Sequence, residues 1–129
     1  MKKDIKIKEK KYTLNSNAFN IIEYKNYFGR NMSNDVYKLV EASRKLLGNV
    51  TGILRNIDKK ENIKKDLNTW EIFIEKLIPI TWILIDENER PGYEEFSKSI
   101  DNVGIGDEWL ISVIEILTLS ILFPRINGL

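Results

Sequence analysis

The stretch LNTWEIFIEKLIPITWILID, residues 67–86, carries the clearest structural signal in the chain. Its large apolar side chains recur every three or four positions, which is the spacing that lines one face of an α-helix. Pro79 lacks the N–H that an interior helical residue donates, so it is predicted to kink this helix or to end it early. We therefore predict a helix from Leu67 to Asp86 whose apolar face is formed by Trp70, Phe73, Ile74, Leu77, Ile78, Trp82 and Ile85.

Polar segments flank this helix on both sides. DENERPG, residues 86–92, combines charged residues with Pro and Gly and predicts a turn. A short helix from Tyr93 to Ile100 and a loop from Asp101 to Gly106 are expected after it. On the other side, the lysine-rich residues Asp58 to Asp66 predict a solvated helix end or a loop.

Two more helices are predicted in the N-terminal half. The first runs from about Asn17 to Phe28, with Ser16 or Asn15 as its N-cap and Gly29 as its C-terminal stop. Phe19, Ile22 and Tyr27 are expected to form its apolar side.

The second of these helices is capped by Ser33 or Asn34 and carries a long apolar seam. Gly48 and Gly52 each cost about 1 kcal/mol inside a helix, so we predict a break near Gly48. The seam consists of Val36, Val40, Ser43, Leu47, Val50, Leu54 and Ile57, widened by Leu39, Leu46 and Ile53.

Residues 5–14, IKIKEKKYTL, alternate apolar and polar side chains, the period of a strand or a short hairpin. An isolated hairpin is only marginally stable, so this one must pack on the helices or join a sheet in a neighbouring subunit. The predicted fold is mainly α: one domain over residues 1–129, with a strand or hairpin in residues 1–14 and a helical body of about five helices in residues 15–129.

The final predicted helix, EWLISVIEILTLSILF, residues 108–123, is apolar almost all the way round and follows Asp107 as its N-cap. A domain of 129 residues rarely buries such a helix on every face. It is either the central helix of the core, or one of its faces is an interface with a subunit or a partner.

Composition excludes several classes of function. The chain has no cysteine and no histidine, which removes the thiolate nucleophile, the disulfide and the usual general base and metal ligand. The N-terminus has no apolar run of signal-peptide length, and no apolar stretch reaches the roughly 20 residues that span a bilayer. We therefore expect an intracellular protein that is not an enzyme and does not enter a membrane.

Charge is distributed unevenly along the chain. Residues 1–65 hold 16 Lys and Arg against 7 Asp and Glu, a net +9, whereas residues 66–129 hold 4 against 12, a net −8. Such halves are either differently solvated faces or poles that favour head-to-tail association.

The motifs that suggest chemistry have simpler explanations. Asp86 and Asn88 match the start of a calcium loop, but Arg90 and Ser97 occupy later ligand positions. The glycines before Asp107 lack the preceding strand and third glycine of a dinucleotide fingerprint. The sequence thus predicts no catalytic residue, no metal site and no bound cofactor.

Three segments, taken in order, resemble the tail assembly chaperones of long-tailed bacteriophages and prophages. LNSNAFNIIEYKNYFGRNM, residues 14–32, is similar to a family helix that closes on an aromatic residue and a glycine. LIPITWILIDENERPGYEEFSKSID, residues 77–101, resembles an apolar helix around a tryptophan, a polar turn and a small helix with an aromatic-Glu-Glu-Phe element. GDEWLISVIEILTLSILF, residues 106–123, resembles the closing helix, while residues 48–66 have no counterpart.

The resemblance implies a protein of the host cell cytoplasm that binds the apolar tape-measure protein, keeps it soluble during tail assembly, self-associates and is absent from the mature virion. Independently of the resemblance, no membrane partner is expected because no apolar stretch is long enough, and no nucleic-acid partner is expected because the lysine-rich residues 58–66 include no aromatic side chain. The residues expected at the partner or oligomer interface are Trp82, Tyr93, Phe96, Trp109, Ile114 and Leu117.

Two alternatives stay open at this point. The first is a structural or adaptor protein that remains in a phage particle or mobile element. The second is a small helical DNA-binding regulator, suggested by the basic N-terminal half, although no clear helix-turn-helix spacing is present.

Overall fold

The structure, a computed structural model, describes residues 1–53, 60–100, 102–104 and 107–122. It confirms the mainly α fold with a short N-terminal hairpin. Parts of the loop at 101–106, the segment 54–59 and Phe123 lie outside the described residues. The elements are β1 (Lys2–Ile7), β2 (Lys10–Asn15), α1 (Phe19–Phe28), α2 (Met32–Ile53), α3 (Lys60–Leu84), α4 (Tyr93–Ser99) and α5 (Glu108–Leu117), with a π-helical turn at Thr118–Leu122.

The N-terminal hairpin packs on the helices, as expected for a hairpin too small to fold alone. β1 and β2 pair antiparallel with Ile5 opposite Tyr12, and both of these side chains are buried. After α3, Ile85 bridges to Leu14, and the Asp86 N–H donates to the Thr13 carbonyl at 2.8 Å. The end of α3 therefore extends the hairpin by one short antiparallel pairing.

α1 begins with a reciprocal pair of asparagines rather than with the predicted cap. The Asn17 N–H donates to Asn20 Oδ1 at 2.6 Å, and the Asn20 N–H donates to Asn17 Oδ1 at 3.3 Å, which has the pattern of a capping box. The prediction of Asn15 or Ser16 as the cap is wrong by one or two positions. Gly29 is confirmed as the stop, since it adopts a left-handed φ of 70° and its N–H donates to the Lys25 carbonyl.

The side of α1 predicted to be apolar is exposed in the structure, and a side that carries polar groups is buried. Asn20 and Tyr24 are buried, whereas Phe19, Ile22 and Tyr27 are all more than half exposed. Hydrogen bonds explain the inversion: Asn20 Nδ2 donates to the Ile83 carbonyl at the end of α3, and Tyr24 joins a buried ion cluster.

α2 starts two or three residues earlier and runs further than predicted. Its cap is Asn31, whose Oδ1 accepts from the Asn34 N–H at 3.1 Å, so the prediction of Ser33 or Asn34 is wrong. The predicted break near Gly48 is also wrong, since the helix continues through Gly48 and Gly52 to Ile53. The cost of two glycines is small compared with the packing of one long helix against another, and α2 packs extensively on α3.

α3 is the central helix of the core. It continues through Pro79 to Leu84, so the proline does not end it early. Its termination comes from Arg90, whose guanidinium donates to the carbonyls of Ile83 at 2.9 Å and Ile85 at 3.1 Å. The predicted turn at residues 86–92 is confirmed: Asn88 N–H donates to Asp86 Oδ1.

α5 has one buried face and one exposed face. Trp109, Leu110, Val113, Ile116 and Leu117 are buried, whereas Ile111 is 51% exposed. Asp107 stands at the N-cap position, but its carboxylate accepts from the Gly104 N–H at 2.8 Å instead of capping α5. Among the described residues, none of the helices is long and apolar enough to cross a membrane.

Among the described residues, three ion pairs join the two oppositely charged halves of the chain. They are Lys3 with Glu115, Lys76 with Asp35, and Arg90 with Glu23. The Lys3–Glu115 pair joins the excess charges of the two halves. In the other two pairs each half contributes the charge of which it has fewer, so these pairs do not reduce the asymmetry read from the sequence.

Candidate functional site

An apolar groove lies where α2, α3 and α5 meet. It has a volume of about 320 Å³, at the small end of the range for ligand sites in proteins. Its two long walls are α2 and α5, and α3 contributes one phenylalanine. The lining residues are Ser43, Leu46, Phe73, Leu110, Ile111, Ile114 and Glu115.

The two polar side chains of this lining are already engaged. The Ser43 hydroxyl donates to the Val40 carbonyl of its own helix at 2.8 Å. The Glu115 carboxylate accepts from Lys3 Nζ at 2.7 Å, and more than half of its side chain is exposed at the rim. What the groove offers a ligand is therefore apolar surface.

The exposed stripe of α5 borders the groove. Glu108, Ile111 and Glu115 are all exposed and follow one another at intervals of three and four residues, so they lie on one side of the helix. Ile111 is thus a half-exposed aliphatic side chain between two carboxylates. Covering such a side chain with an apolar partner removes it from water, which lowers the free energy.

A buried ion cluster joins α1, α2 and α3. On α2 it is centred on Asp35, eight residues before Ser43, which at 1.5 Å per residue is about 12 Å along the helix from the groove. Asp35 on α2 accepts from Tyr24 Oη at 2.6 Å and from Arg30 Nε at 3.0 Å, and lies 3.3 Å from Lys76 Nζ on α3. Asp35, Tyr24 and Lys76 are buried, whereas Arg30 is partly exposed. The cluster therefore holds α2 against α3 and sets the position of one wall of the groove.

The cluster perturbs the titration of its members. Burial by itself raises the pKa of Asp35, but hydrogen bonds from Tyr24 and Arg30 and the charge of Lys76 outweigh it, so the pKa lies below its usual value. Burial, together with the hydrogen bond to Asp35, raises the pKa of Tyr24 well above the ordinary phenol range. Asp35 is ionised and Tyr24 neutral at any pH near 7.

The groove has the character of a binding surface. Within the described ranges, no group of three or more carboxylates could hold a metal ion. The N–H of Gly104, one of the glycines before Asp107, donates to the Asp107 carboxylate. An apolar groove bordered by charge is the arrangement that binds an amphipathic or apolar segment of another chain.

The six residues predicted for the interface occupy different environments. Trp82, Phe96, Trp109 and Leu117 are buried in the core, so they present almost no surface to a partner. Trp82 packs between Arg90 and the surrounding aromatic rings, and its indole N–H donates to the Pro91 carbonyl. Tyr93 and Ile114 are partly buried, and only Ile114 lines the groove. Burial raises the pKa of Tyr93, in keeping with that placement.

Two features of the structure were not predicted from the sequence. The excess apolarity of residues 108–123 indicated the helix that borders the groove, but nothing in it singled out Ile111. The apolar side predicted for α1, formed by Phe19, Ile22 and Tyr27, is exposed. No family model, no curated protein and no solved structure matches the chain.

Proposed function

We propose that this protein is a tail assembly chaperone that binds an apolar segment of a phage tape-measure protein and keeps it soluble while the tail assembles. The observation that carries the proposal is the apolar groove with the half-exposed Ile111 at its edge. The resemblance of residues 14–32, 77–101 and 106–123 to that family supports it. The protein acts in the host cell cytoplasm and is not retained in the virion.

The groove suits this task because its apolar lining sets no strict requirement on the sequence that it contacts. Apolar burial is non-directional, and both polar groups of the lining are engaged elsewhere. The exposed charges around the groove keep the chaperone itself in solution. No catalytic step is part of the proposal.

Co-expression with the tape-measure protein of the same phage tests the proposal. We expect the chaperone to raise the soluble fraction of the tape-measure protein, and Ile111→Glu to abolish that gain by placing a charge in the groove. Ile72→Glu is the matched control, because Ile72 is 43% exposed on α3 and does not line the groove. Equal solubility with and without the chaperone contradicts the proposal, as does full protection by Ile111→Glu.

Self-association forms a second part of the proposal and is supported by a different surface. Phe19 and Ile22, three residues apart on α1, form an exposed apolar patch. We expect Ile22→Glu to lower the oligomer size measured by analytical ultracentrifugation, with Ile72→Glu as the control. A protein that is monomeric at all concentrations contradicts this part alone.

A further inference from the structure

We infer that β1 pairs antiparallel with β1 of a second copy of this chain, with Asp4 of each copy opposite Lys6 of the other. The inference rests on the self-association part of the proposed function, and it names a contact that is separate from the apolar patch on α1. Two features of β1 carry it: a row of backbone groups without hydrogen-bond partners, and an alternation of charge along the same residues.

The hydrogen bonds of the hairpin show which backbone groups of β1 point away from β2. The Ser16 N–H donates to the Met1 carbonyl at 2.8 Å and the Met1 nitrogen donates to the Ser16 carbonyl at 3.0 Å, so these two residues form a hydrogen-bonded pair. Along an antiparallel ladder such pairs alternate with pairs that share no hydrogen bond. In the observed register Lys2, Asp4 and Lys6 therefore direct their N–H and C=O groups outward.

The two edges of the hairpin differ in how these outward groups are satisfied. On the β2 edge, the Thr13 N–H donates to the Glu89 carboxylate at 2.7 Å and the Thr13 carbonyl accepts from the Asp86 N–H. On the β1 edge, no described residue bonds to the outward groups, and the sheet formed by the described residues has no third strand. The side chains of the three outward residues are exposed. β1 is thus the edge at which another strand can add.

The charges beside this edge favour a second copy as that strand. Lysines alone would deter pairing, but here Asp4 lies between Lys2 and Lys6, so the sign alternates along the outward residues. Glu108 lines the same surface depression as Asp4 and Lys6. Two positive and two negative groups then border the edge, and neither a strongly acidic nor a strongly basic strand is selected. A strand of alternating sign is matched by another of the same sequence.

Charge also selects the register of the pairing. Outward groups bond only to outward groups, so Asp4 can lie opposite Asp4, Lys2 or Lys6 of the second copy. The first register places like charges opposite each other throughout, because Lys2 then faces Lys6. The second overlaps only residues 2–4. The third overlaps residues 3–7 of both copies and forms two oppositely charged pairs, so it is the register that we expect.

This register gives a closed dimer. Ile5 lies opposite Ile5 of the second copy on a twofold axis, and each copy contributes two strands to one four-stranded antiparallel sheet. Lys2 comes to lie opposite Lys8, which belongs to the hairpin turn beyond the end of β1, so this like-charged pair falls outside the overlapping strands.

Charge reversal on the full chain tests the pairing. We use Ile22→Glu as the background, because it removes the contact through α1, and we expect a dimer to remain in sedimentation velocity. Asp4→Lys or Lys6→Asp places like charges opposite each other twice and should weaken this dimer about tenfold, whereas the two changes together restore opposite charges and should return the affinity to within about threefold. Lys38→Glu, at an exposed position of α2, is the control and should change the affinity less than about twofold. Circular dichroism checks that each variant is folded.

Disulfide formation tests the register. The chain has no cysteine, so introduced thiols are the only ones present. In a mixture of the Asp4→Cys and Lys6→Cys variants, thiols at positions 4 and 6 of different copies lie about 5.5 Å apart between Cα atoms, within the reach of a disulfide. Two copies of either variant hold their thiols about 7–8 Å apart, beyond that reach. We expect mass spectrometry of the oxidised mixture to show the mixed dimer.

The outcomes separate this inference from the proposed function. A preferred disulfide between two copies of Asp4→Cys overturns the inference, since it reports the register with Asp4 opposite itself, and so does a dimer that is unaffected by either charge reversal. A chain that is monomeric at all concentrations overturns the inference together with self-association. None of these results bears on protection of the tape-measure protein, which co-expression measures. Conversely, the mixed disulfide and the rescue by double reversal support the inference even if the tape-measure protein stays insoluble.

Discussion

Replacing Asp35 by asparagine should destabilise the protein more than any surface substitution. The side chain of Asp35 is 5% exposed and that of Lys76 is 11% exposed, so the variant leaves a buried ammonium group without its carboxylate. Removing one partner of a buried ion pair costs about 3–5 kcal/mol. The free energy of unfolding of a chain this long is about 6–19 kcal/mol, so the loss is a large fraction of it.

Urea denaturation followed by circular dichroism at pH 7 measures this loss. The control is Glu94→Gln, which breaks the exposed Glu94–Lys98 pair and should cost no more than about 0.5 kcal/mol. The double variant Asp35→Leu with Lys76→Met removes both buried charges and should recover part of the stability. If Asp35→Asn unfolds within about 1 kcal/mol of the unmodified protein, the buried cluster does not hold α2 against α3.

The pH dependence of this effect has a defined sign. The pKa of Asp35 in the folded protein lies below its usual value, so the carboxylate stabilises the fold above about pH 4, the unfolded value. That contribution is lost as the pH falls through the folded pKa. The difference in unfolding free energy between the unmodified protein and Asp35→Asn should therefore be constant from pH 5 to 7, by the same linkage, and shrink below about pH 4.

Three further substitutions test other parts of the fold. Thr81→Val should raise the free energy of unfolding by about 1–2 kcal/mol, because the buried Thr81 hydroxyl has no hydrogen-bond partner in the described structure; a loss of stability in urea would show that the hydroxyl is bonded. Lys8→Gly should add about 0.5–1 kcal/mol, because Lys8 adopts a left-handed φ of 57° in the hairpin turn, and an unchanged melting temperature would contradict that strain. Arg90→Ala should cost about 2–3 kcal/mol by removing the guanidinium hydrogen bonds to the carbonyls of Ile83 and Ile85 and to Glu23, although the Ile83 carbonyl keeps its bond from Asn20, with Arg90→Lys recovering only part of it; equal stability of both variants would refute the role of the guanidinium fork.

Local signals account for most of what the sequence predicted correctly. The alternation in residues 5–14 predicts the hairpin and Gly29 stops α1, as observed. The helical spacing in residues 67–86 predicts most of α3, which begins seven residues earlier, at Lys60, and ends at Leu84. The turn at residues 86–92 also follows from its own residues. Each of these depends on interactions between neighbours in the chain, which a single sequence displays.

Features that depend on contacts between elements distant in the sequence were harder to predict. The sequence of α1 places Phe19 and Ile22 on its apolar side, yet the buried side is set by Asn20 and Tyr24, whose partners Ile83 and Asp35 lie on other helices. Likewise, nothing local shows that α2 continues through Gly48, because what favours continuation is the neighbouring α3. Local propensities of about 1 kcal/mol are easily outweighed by such packing.

By itself, then, the sequence determined the class of fold, the position of most helices, the absence of cysteine and histidine chemistry and the excess apolarity of residues 108–123. Only the tertiary structure decided which side of that last helix is exposed. A helix that is apolar on nearly every side could bury any of its faces equally well. The elements that pack against it therefore determine which face is buried. By burying Trp109 and Leu117 and leaving Ile111 between two carboxylates, the hairpin and the other helices create the groove on which the proposed function rests.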